Sequence, residues 1–168
     1  MNKIKFGLSP LPVGLSPTSP TVLIATWFHS GCLRPAPGTI GTLAAIPFGY
    51  AIMSLAGPLG LAVAAILLGI IGTRASTDYG KKSGANDDQS IVVDEVVGLW
   101  IAALPAAENL FLWIIAFFLF RLFDIWKPWP ASFFDNRCNG GFDVMMDDVV
   151  AGIYAFFGVA IAALAVTA

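Results

Sequence analysis

Long apolar segments occupy most of this 168-residue chain and constrain its fold more than any other feature. Hydrophobic residues make up 57% of the sequence and charged residues only 12%, far more apolar than a typical soluble domain. Several segments approach the roughly 20 residues that a helix needs to cross the hydrocarbon core of a bilayer. The sequence therefore predicts an all-α fold, a polytopic bundle of membrane helices.

Breaks between the apolar segments predict where the helices begin and end. Gly57 and Pro58 separate one pair of segments, and a polar turn at 105–109 separates another, so each pair predicts a helical hairpin. Pro47 falls inside the first helix, where it predicts a kink and no break. A C-terminal helix completes a bundle of about five helices, at 39–56, 59–77, 87–104, 110–127 and 146–166.

The N-terminal residues differ from the rest of the chain. Repeated prolines in residues 1–21 predict a flexible arm, so residues 22–168 are expected to form the membrane domain. The apolar run 22–28 is too short to cross a bilayer and is expected to lie at the interface or under the bundle. Cys32 and Cys138 lack the spacing of a zinc or redox site and are predicted to be free thiols.

The placement of lysine and arginine predicts the orientation of the hairpins, because these residues concentrate in cytoplasmic loops. The hairpin tips at 57–58 and 105–109 contain neither residue. If both hairpins enter from the same side, segments 30–42, 74–95 and 121–148 meet on the cytoplasmic face. These three segments also hold most of the polar residues, so the predicted topology gathers them in one place.

Acidic residues lie within or beside the apolar segments. A carboxylate at a helix centre costs about 2.5 to 3.5 kcal/mol on insertion scales, so such groups are functional by default. On a helix, positions seven apart share a face, which aligns Asp87 with Asp94 and Asp88 with Glu95. Clustered carboxylates suit Mg²⁺ or Mn²⁺ better than zinc. The net charge of -2 and the lack of a basic run argue against a nucleic-acid partner.

Two further acidic groups lie near the predicted ends of helices. Arg121, Asp124 and Lys127 are three residues apart and are expected to stack along one helix face. They form either a structural ion pair or a site in which Asp124 binds a metal and the cations bind a phosphate. Asp147 and Asp148 are expected in the first turn of the last helix, where capping accounts for only one of them.

Two weaker signals remain. The segment Pro-Gly-Thr-Ile-Gly-Thr at 37–42 opens the first predicted helix, so its backbone N–H groups and the hydroxyls of Thr39 and Thr42 are candidate anion ligands. A plain N-cap at Thr39 explains the same pattern equally well. His29, the single histidine, lies in an apolar setting and favours a structural role.

Four blocks of the sequence resemble the phosphatidylglycerophosphatase A family. They read PGTIGTLAAIP at 37–47, IVVDEVVG at 91–98, FRLFDIWKPWP at 120–130 and GGFDVMMDDVVAG at 140–152. The blocks occur in the family's order, and the likeness runs from about residue 28 to the C-terminus. Asp143 departs from an expected glycine, and Asn139 from a more common basic residue or histidine.

The resemblance implies a phosphoric monoester hydrolase of phospholipid biosynthesis that converts phosphatidylglycerophosphate to phosphatidylglycerol and phosphate. It implies a multi-pass protein of the bacterial inner membrane, with Mg²⁺ as cofactor and the active site on the cytoplasmic face. The implied metal ligands are Asp87, Asp94, Glu95, Asp124, Asp147 and Asp148, of which all but Asp87 are also implied to be catalytic. Thr39, Thr42, Arg121 and Lys127 are the candidate substrate-binding residues.

Water activated by the metal is the expected nucleophile, and an aspartyl-phosphate intermediate is the alternative. Two other function classes compete with this reading. A CDP-alcohol phosphotransferase would carry an Asp-Gly pair, which is absent from the sequence. A divalent-cation transporter would place its carboxylates at the bilayer midplane and not at one end of the bundle.

Overall fold

The computed structural model describes residues 7–85, 87–137 and 139–167. Within these residues the fold is a bundle of six α-helices with one two-stranded sheet, which confirms the all-α class. The elements are β1 Gly7–Leu8, α1 Pro20–Ala25, β2 Leu33–Arg34, α2 Pro37–Ser83, α3 Val93–Ala102, α4 Leu110–Trp126, α5 Ala131–Arg137 and α6 Gly141–Thr167. Two short 3-10 turns, Ser30–Cys32 and Leu104–Ala106, connect them.

α2 is a helical hairpin and not one straight helix. Its backbone leaves the helical conformation at Gly57, where φ is 66° and ψ is -171°, values that glycine tolerates readily. A Cβ added at Gly41 would lie 2.7 Å from Val92 Cβ, and one added at Gly72 would lie 3.0 Å from Val93 Cγ2. A straight helix would hold the two glycines about 46 Å apart, yet both contact adjacent residues. The predicted break is therefore confirmed.

The arms of α2 are each long enough to cross a bilayer. The first arm, 37–56, has a length of about 30 Å and continues through Pro47 without a break. The second arm, 58–83, runs six residues beyond the predicted end at Thr77 and carries Lys81 and Lys82 in its last turn. Gly84 ends it in the left-handed conformation, with φ of 78°.

α3 differs from its prediction, because it begins at Val93 and not at Asp87. The Asp88 side chain accepts a hydrogen bond from the Ser90 N–H, and the Asp88 carbonyl accepts one from Ile91. These local bonds compete with a helical start, and the ten-residue helix that follows is only about 15 Å long. The predicted 18-residue helix at 87–104 was therefore wrong, as was the alignment of Asp87 and Asp88 with the acids of α3.

The remaining helices match their predictions more closely. α4 ends one residue earlier than predicted, and the Asn109 side chain caps its N-terminus by accepting from the N–H of Phe111 and Leu112. α6 begins at Gly141, five residues before the predicted start. α5 was not predicted, because a seven-residue helix after Pro-Trp-Pro leaves no apolar period to recognise.

The core lies where α2, α3, α4 and α6 meet. Trp113 and Phe120 of α4 are fully buried there, together with Leu99 of α3. The Trp100 indole N–H donates to the Ala45 carbonyl and ties α3 to the first arm of α2, at 3.1 Å. These contacts fix the depth at which α3 begins inside the bundle.

α1 packs under one end of the bundle, as the short apolar run predicted. Val22 and Ala25 are fully buried in a second apolar cluster that includes Val93 and Val144. β1 pairs antiparallel with β2, with Gly7 opposite Arg34. The division of the chain at residue 22 stays a prediction. Cys32 is a free, buried thiol, whereas Cys138 lies outside the described residues.

Two helices of the described chain are long and apolar enough to cross a membrane, Pro37–Ser83 and Gly141–Val166. Large apolar side chains also stay exposed on the outer faces of the bundle. Leu55 and Leu59 at the tip of the first hairpin are 89% and 77% exposed, and Phe118 of α4 is 65% exposed. Exposed apolar surface on this scale is unusual for a soluble monomer and favours membrane association.

Candidate active site

An acidic pocket of about 320 Å³ lies at the end of the bundle opposite the hairpin tip. The N-terminus of α2, the segment before α3, α3 itself, the end of α4 and the start of α6 all contribute to it. Parts of the three polar segments therefore meet at one end, as the hairpin topology predicted. Eight of the predicted site residues line this pocket: Asp87, Asp94, Glu95, Arg121, Asp124, Lys127, Asp147 and Asp148.

Three carboxylates form the centre of the pocket. Asp94, Glu95 and Asp148 each offer one oxygen, and these oxygens lie within 4.8 Å of one another. Asp94 and Glu95 belong to the first turn of α3, where the helix dipole favours negative charge. Asp94 is 7% exposed and Asp148 only 3% exposed. Three buried carboxylates this close repel one another strongly unless a cation lies between them.

The donor set fits a divalent cation. Glu95 Oε2 is buried and has no hydrogen-bond partner, which is costly for a carboxylate oxygen. Six carboxyl groups and only two cationic side chains line the pocket, so its formal charge is negative. Oxygen ligands without histidine or cysteine are those that Mg²⁺ and Mn²⁺ prefer. One or more such ions would satisfy the orphaned oxygen and offset the excess charge.

Asp147 and Asp148 lie in the second turn of α6, so the prediction that they occupy the first turn was wrong. The backbone N–H of Asp148 donates to Asp147 Oδ1 at 2.9 Å, and that of Glu95 donates to Asp94 Oδ1 at 3.0 Å. In both pairs of adjacent acids, the backbone N–H of the second residue thus donates to the side chain of the first. N-terminal capping explains neither Asp147 nor Asp148, because α6 already has a turn of helix before them.

Arg121 links α4 to the carboxylate cluster. Its Nη1 lies 2.5 Å from Asp124 Oδ2 and 3.5 Å from Glu95 Oε1. The ion pair with Asp124 was one of the two predicted roles for this residue. The guanidinium Nε is buried without a hydrogen-bond partner, so Arg121 retains a donor for another group. The structural role and a phosphate-binding role are therefore compatible.

Lys127 does not stack along α4 with Asp124, so that prediction was wrong. α4 ends at Trp126, and Lys127 adopts the left-handed conformation with φ of 48°, which turns its side chain away. Its Nζ lies 2.8 Å from Asp147 Oδ2 and also contacts Asp135 of α5. Desolvation lowers the pKa of Lys127, but the hydrogen bonds to these two carboxylates outweigh it and raise the pKa above its ordinary value.

Two residues, one lining the pocket and one contacting its lysine, were not predicted from the sequence. Gln89 lines the pocket from the segment before α3, and Asp135 reaches Lys127 from α5. Neither residue belongs to a motif that would predict a functional role. Gln89 lies in an ordinary turn, and α5 was not predicted. Asp87 lines the same wall although it is not helical, and its side chain stays exposed at the mouth. Desolvation raises the pKa of Asp87, and the charge of Lys127 opposes this shift.

The turn predicted to bind an anion reaches the pocket at Pro37 and Gly38 only. Gly38 lines the pocket, but Thr39 and Thr42 do not. Thr42 is fully buried and donates its hydroxyl to the Gly38 carbonyl at 2.7 Å, so it does not reach the pocket, and its assignment to substrate binding stays a prediction. α2 begins at Pro37 with Ala36 as N-cap, which also excludes Thr39 as the cap.

The first turn of α2 has free backbone donors, of which the N–H of Gly38 lies at the pocket wall. The Ile40 N–H donates to the Ala36 carbonyl, whereas the N–H groups of Gly38 and Thr39 have no carbonyl four residues earlier within the helix. Such groups, with the helix dipole, favour an anion at this position.

The sequence matches the family model of phosphatidylglycerophosphatase A over residues 23–163. The chain belongs to the phosphatidylglycerophosphatase A family. Phosphatidylglycerophosphatase A of Escherichia coli (strain K12) is 42% identical over 83% of this chain and 81% of its own length. Phosphatidylglycerophosphatase A of Haemophilus influenzae is 41% identical over 84% of this chain and 87% of its own length.

A third relative bears a different name. A Bacteroides thetaiotaomicron protein named provisionally as a phosphatidylinositol-3-phosphatase is 40% identical over 84% of this chain and 92% of its own length. No solved structure matches the chain significantly. The family confirms the resemblance found in the sequence, and with it the class of phosphoric monoester hydrolase.

The two departures from the phosphatidylglycerophosphatase A pattern contact each other. Asp143 is 4% exposed and accepts a hydrogen bond from the Asn139 N–H at 2.9 Å, while Arg137 Nε lies 3.9 Å away. Asp143 does not line the acidic pocket, so it adds no carboxylate there. His29 lines an apolar hollow beside Phe28 and Phe48, separate from the acidic pocket.

Proposed function

We propose that this protein is a Mg²⁺-dependent lipid phosphatase that hydrolyses phosphatidylglycerophosphate to phosphatidylglycerol and phosphate. The carboxylate cluster of Asp94, Glu95 and Asp148 carries the proposal, because its orphaned Glu95 oxygen fits a divalent cation. The names of the Escherichia coli and Haemophilus influenzae relatives supply the substrate. Membrane placement accords with this substrate, since lipid headgroups lie at the ends of transmembrane helices.

The metal-binding residues in this proposal are Asp94, Glu95 and Asp148, with Asp87, Asp124 and Asp147 as further ligands around them. A bound Mg²⁺ would neutralise the charge of the phosphomonoester and lower the pKa of a water molecule that attacks phosphorus. Without such neutralisation, the excess of carboxylates in the pocket would repel a phosphate dianion.

The chain's own cations orient the phosphate. Arg121 has an unpaired guanidinium N–H inside the pocket wall, and Lys127 lies across from it at the end of α4. The raised pKa of Lys127 keeps it charged, so it acts as an electrostatic clamp and a poor proton donor. The N–H group of Gly38 provides a further donor for the non-bridging oxygens.

The proposed location is the bacterial inner membrane, as a multi-pass protein with the pocket at the cytoplasmic face. Lysines and arginines near the pocket and their lack at the hairpin tips support this orientation. Trp126 and Trp129 are 68% and 77% exposed beside the pocket, as expected of aromatic residues at headgroup depth. The acidic groups lie at one end of the bundle, which counts against a cation transporter with ligands at the midplane.

The test is phosphate release from the purified protein in detergent, with phosphatidylglycerophosphate as substrate. We expect activity that EDTA abolishes and added MgCl₂ restores. Asp94→Asn and Asp148→Asn should lose at least a hundredfold in kcat, whereas Asp78→Asn, an exposed aspartate of α2 outside the pocket, should retain activity. Turnover in EDTA would contradict the metal requirement, and full activity of Asp94→Asn would contradict the site.

A second substrate is suggested by the name of the Bacteroides thetaiotaomicron relative. The same assay should therefore include phosphatidylinositol 3-phosphate at equal surface concentration. We expect a higher kcat/KM for phosphatidylglycerophosphate, because the two relatives of highest identity that we compared carry its name. The reverse preference would reassign the substrate while leaving the phosphatase chemistry in place.

A further inference from the structure

An apolar groove of about 700 Å³ lies on a different side of the bundle from the acidic pocket. It runs between the second arm of α2, α3 and α6, and it shares no lining residue with the acidic pocket. Its α2 side is a helical stripe from Ala62 to Arg74, and its α6 side runs from Phe142 to Ile153. Residues from separate helices thus line one groove along the bundle.

The length of the groove matches one leaflet of a bilayer. The stripe on α2 covers twelve residue steps, or about 18 Å, compared with roughly 15 Å for half of the hydrocarbon core. Gly72 packs beside Val93 and Met145, which are level with the start of α3 and the acidic pocket. The Arg74 end therefore lies at the same membrane face as that pocket.

Charge is confined to that end of the groove. Arg74 is exposed and forms no ion pair with any described residue. Among the described lining residues there is no carboxylate to balance a choline or ammonium group. A guanidinium binds phosphate oxygens in a bidentate manner, and a basic residue at headgroup depth attracts anionic lipids.

We propose that this groove binds an anionic phospholipid of the surrounding bilayer, with one acyl chain between α2, α3 and α6 and its phosphodiester on Arg74. The occupant is a lipid of the bulk membrane, bound apart from the hydrolytic site. This lipid site rests on the membrane placement proposed above and on none of the phosphatase chemistry. Loss of lipid binding and loss of catalysis are therefore separate outcomes.

Two pairs of matched variants test the groove. Arg74→Gln removes its charge, and Lys81→Gln removes an exposed cation of the same helix outside the groove. Ile66→Trp fills the groove, whereas Leu67→Trp adds the same bulk next to it, at a position that does not line it. Ile66 and Leu67 are 63% and 55% exposed, so neither change crowds a buried site.

The measurement is native mass spectrometry of the full-length protein in EDTA, titrated with dioleoylphosphatidylglycerol or dioleoylphosphatidylcholine. We expect one retained phosphatidylglycerol, bound about tenfold more weakly by Arg74→Gln, as for the loss of a charge-assisted hydrogen bond. Phosphatidylcholine should bind the unmodified protein more weakly than phosphatidylglycerol, because no carboxylate of the groove balances its choline, and Arg74→Gln should reduce this difference. Ile66→Trp should retain neither lipid, and Lys81→Gln and Leu67→Trp should match the unmodified protein.

Three results would overturn the proposal. If Arg74→Gln binds phosphatidylglycerol with unchanged affinity, Arg74 does not contact the headgroup. If Ile66→Trp still retains lipid, the acyl chain does not occupy the groove. A protein dimer that Ile66→Trp dissociates, with lipid retention unchanged, would assign the groove to a second copy of the chain. Circular dichroism and size-exclusion elution of each variant would identify a variant that has lost its fold, in which case Ile66→Phe replaces Ile66→Trp as a milder reduction of the groove.

Discussion

Gly98 of α3 and Gly152 of α6 are in backbone contact. A Cβ added at Gly152 would lie 2.5 Å from the Gly98 carbonyl oxygen and 3.0 Å from its Cα. Asp94 lies one turn before Gly98, and Asp148 lies one turn before Gly152. The close approach of the two helices therefore holds these carboxylates in one cluster.

Gly152→Ala should separate the helices and disperse the cluster. We expect at least a tenfold loss of kcat and a smaller thermal stabilisation by MgCl₂, because the added methyl group meets backbone that cannot yield. Gly69→Ala is the matched control, since its Cβ would make an ordinary contact 3.8 Å from Val97 Cγ1. Alanine is the better helix former, by about 1 kcal/mol, so the control should be at least as stable as the unmodified protein. Unchanged activity of Gly152→Ala would show that the contact does not position the carboxylates.

Glu95→Gln should stabilise the metal-free protein while removing its response to metal. The substitution replaces one of three clustered carboxyl groups with a neutral amide, and Arg121 keeps its closer partner, Asp124. We expect a higher Tm in EDTA, with about 2 to 4 °C for each kcal/mol of repulsion relieved in a chain of this size. The Tm increase on adding MgCl₂ should disappear. Thermal unfolding in detergent, followed by circular dichroism, measures both quantities. If Glu95→Gln has a lower Tm in EDTA than the unmodified protein, the ion pair between Glu95 and Arg121 stabilises the fold and repulsion within the cluster does not dominate.

Gly38→Ala and Thr42→Val should have opposite outcomes. A Cβ at Gly38 would overlap Glu95 Oε1 and approach Arg121 Nη1 to 3.1 Å, so both side chains must move and kcat should fall at least tenfold. Thr42→Val removes a hydroxyl that bonds only within its own helix, and kcat should stay within about twofold. Steady-state kinetics of the two variants tests the assignment of this turn to the backbone. A large rise in KM for Thr42→Val would restore the hydroxyl as a substrate contact.

Lys127 and Asp135 should separate a catalytic role from a structural one. Lys127→Gln removes the cation that faces the pocket and leaves Asp147 without its partner, so we expect KM to rise at least tenfold and Tm to fall. Asp135→Asn should lower Tm by little, because this carboxylate is 39% exposed and such pairs contribute about 0 to 1 kcal/mol. Its kinetic constants should be nearly unchanged, since Asp147 still holds the lysine. Equal kinetic losses in both variants would instead make Asp135 a positioning residue of the site.

Local signals in the sequence were sufficient for most of the helices. The break at Gly57 and the cap at Asn109 depend on the conformations of single residues, so a pattern could predict both. The start of α3 could not be predicted in this way. The apolar pattern of α3 also extends before Val93, which predicted an earlier start. The Asp88 side chain instead accepts a hydrogen bond from the Ser90 N–H, and the helix begins six residues later than predicted.

The sequence by itself determined that acidic residues would border apolar helices and that two hairpins would bring their segments to one end of a bundle. Only the tertiary structure decided which acids touch. Asp94, Glu95 and Asp148 converge because Gly98 and Gly152 allow two backbones to meet, and that contact joins residues more than fifty positions apart. Spacing along one helix cannot report such a contact, because it depends on the packing of a second helix against the first.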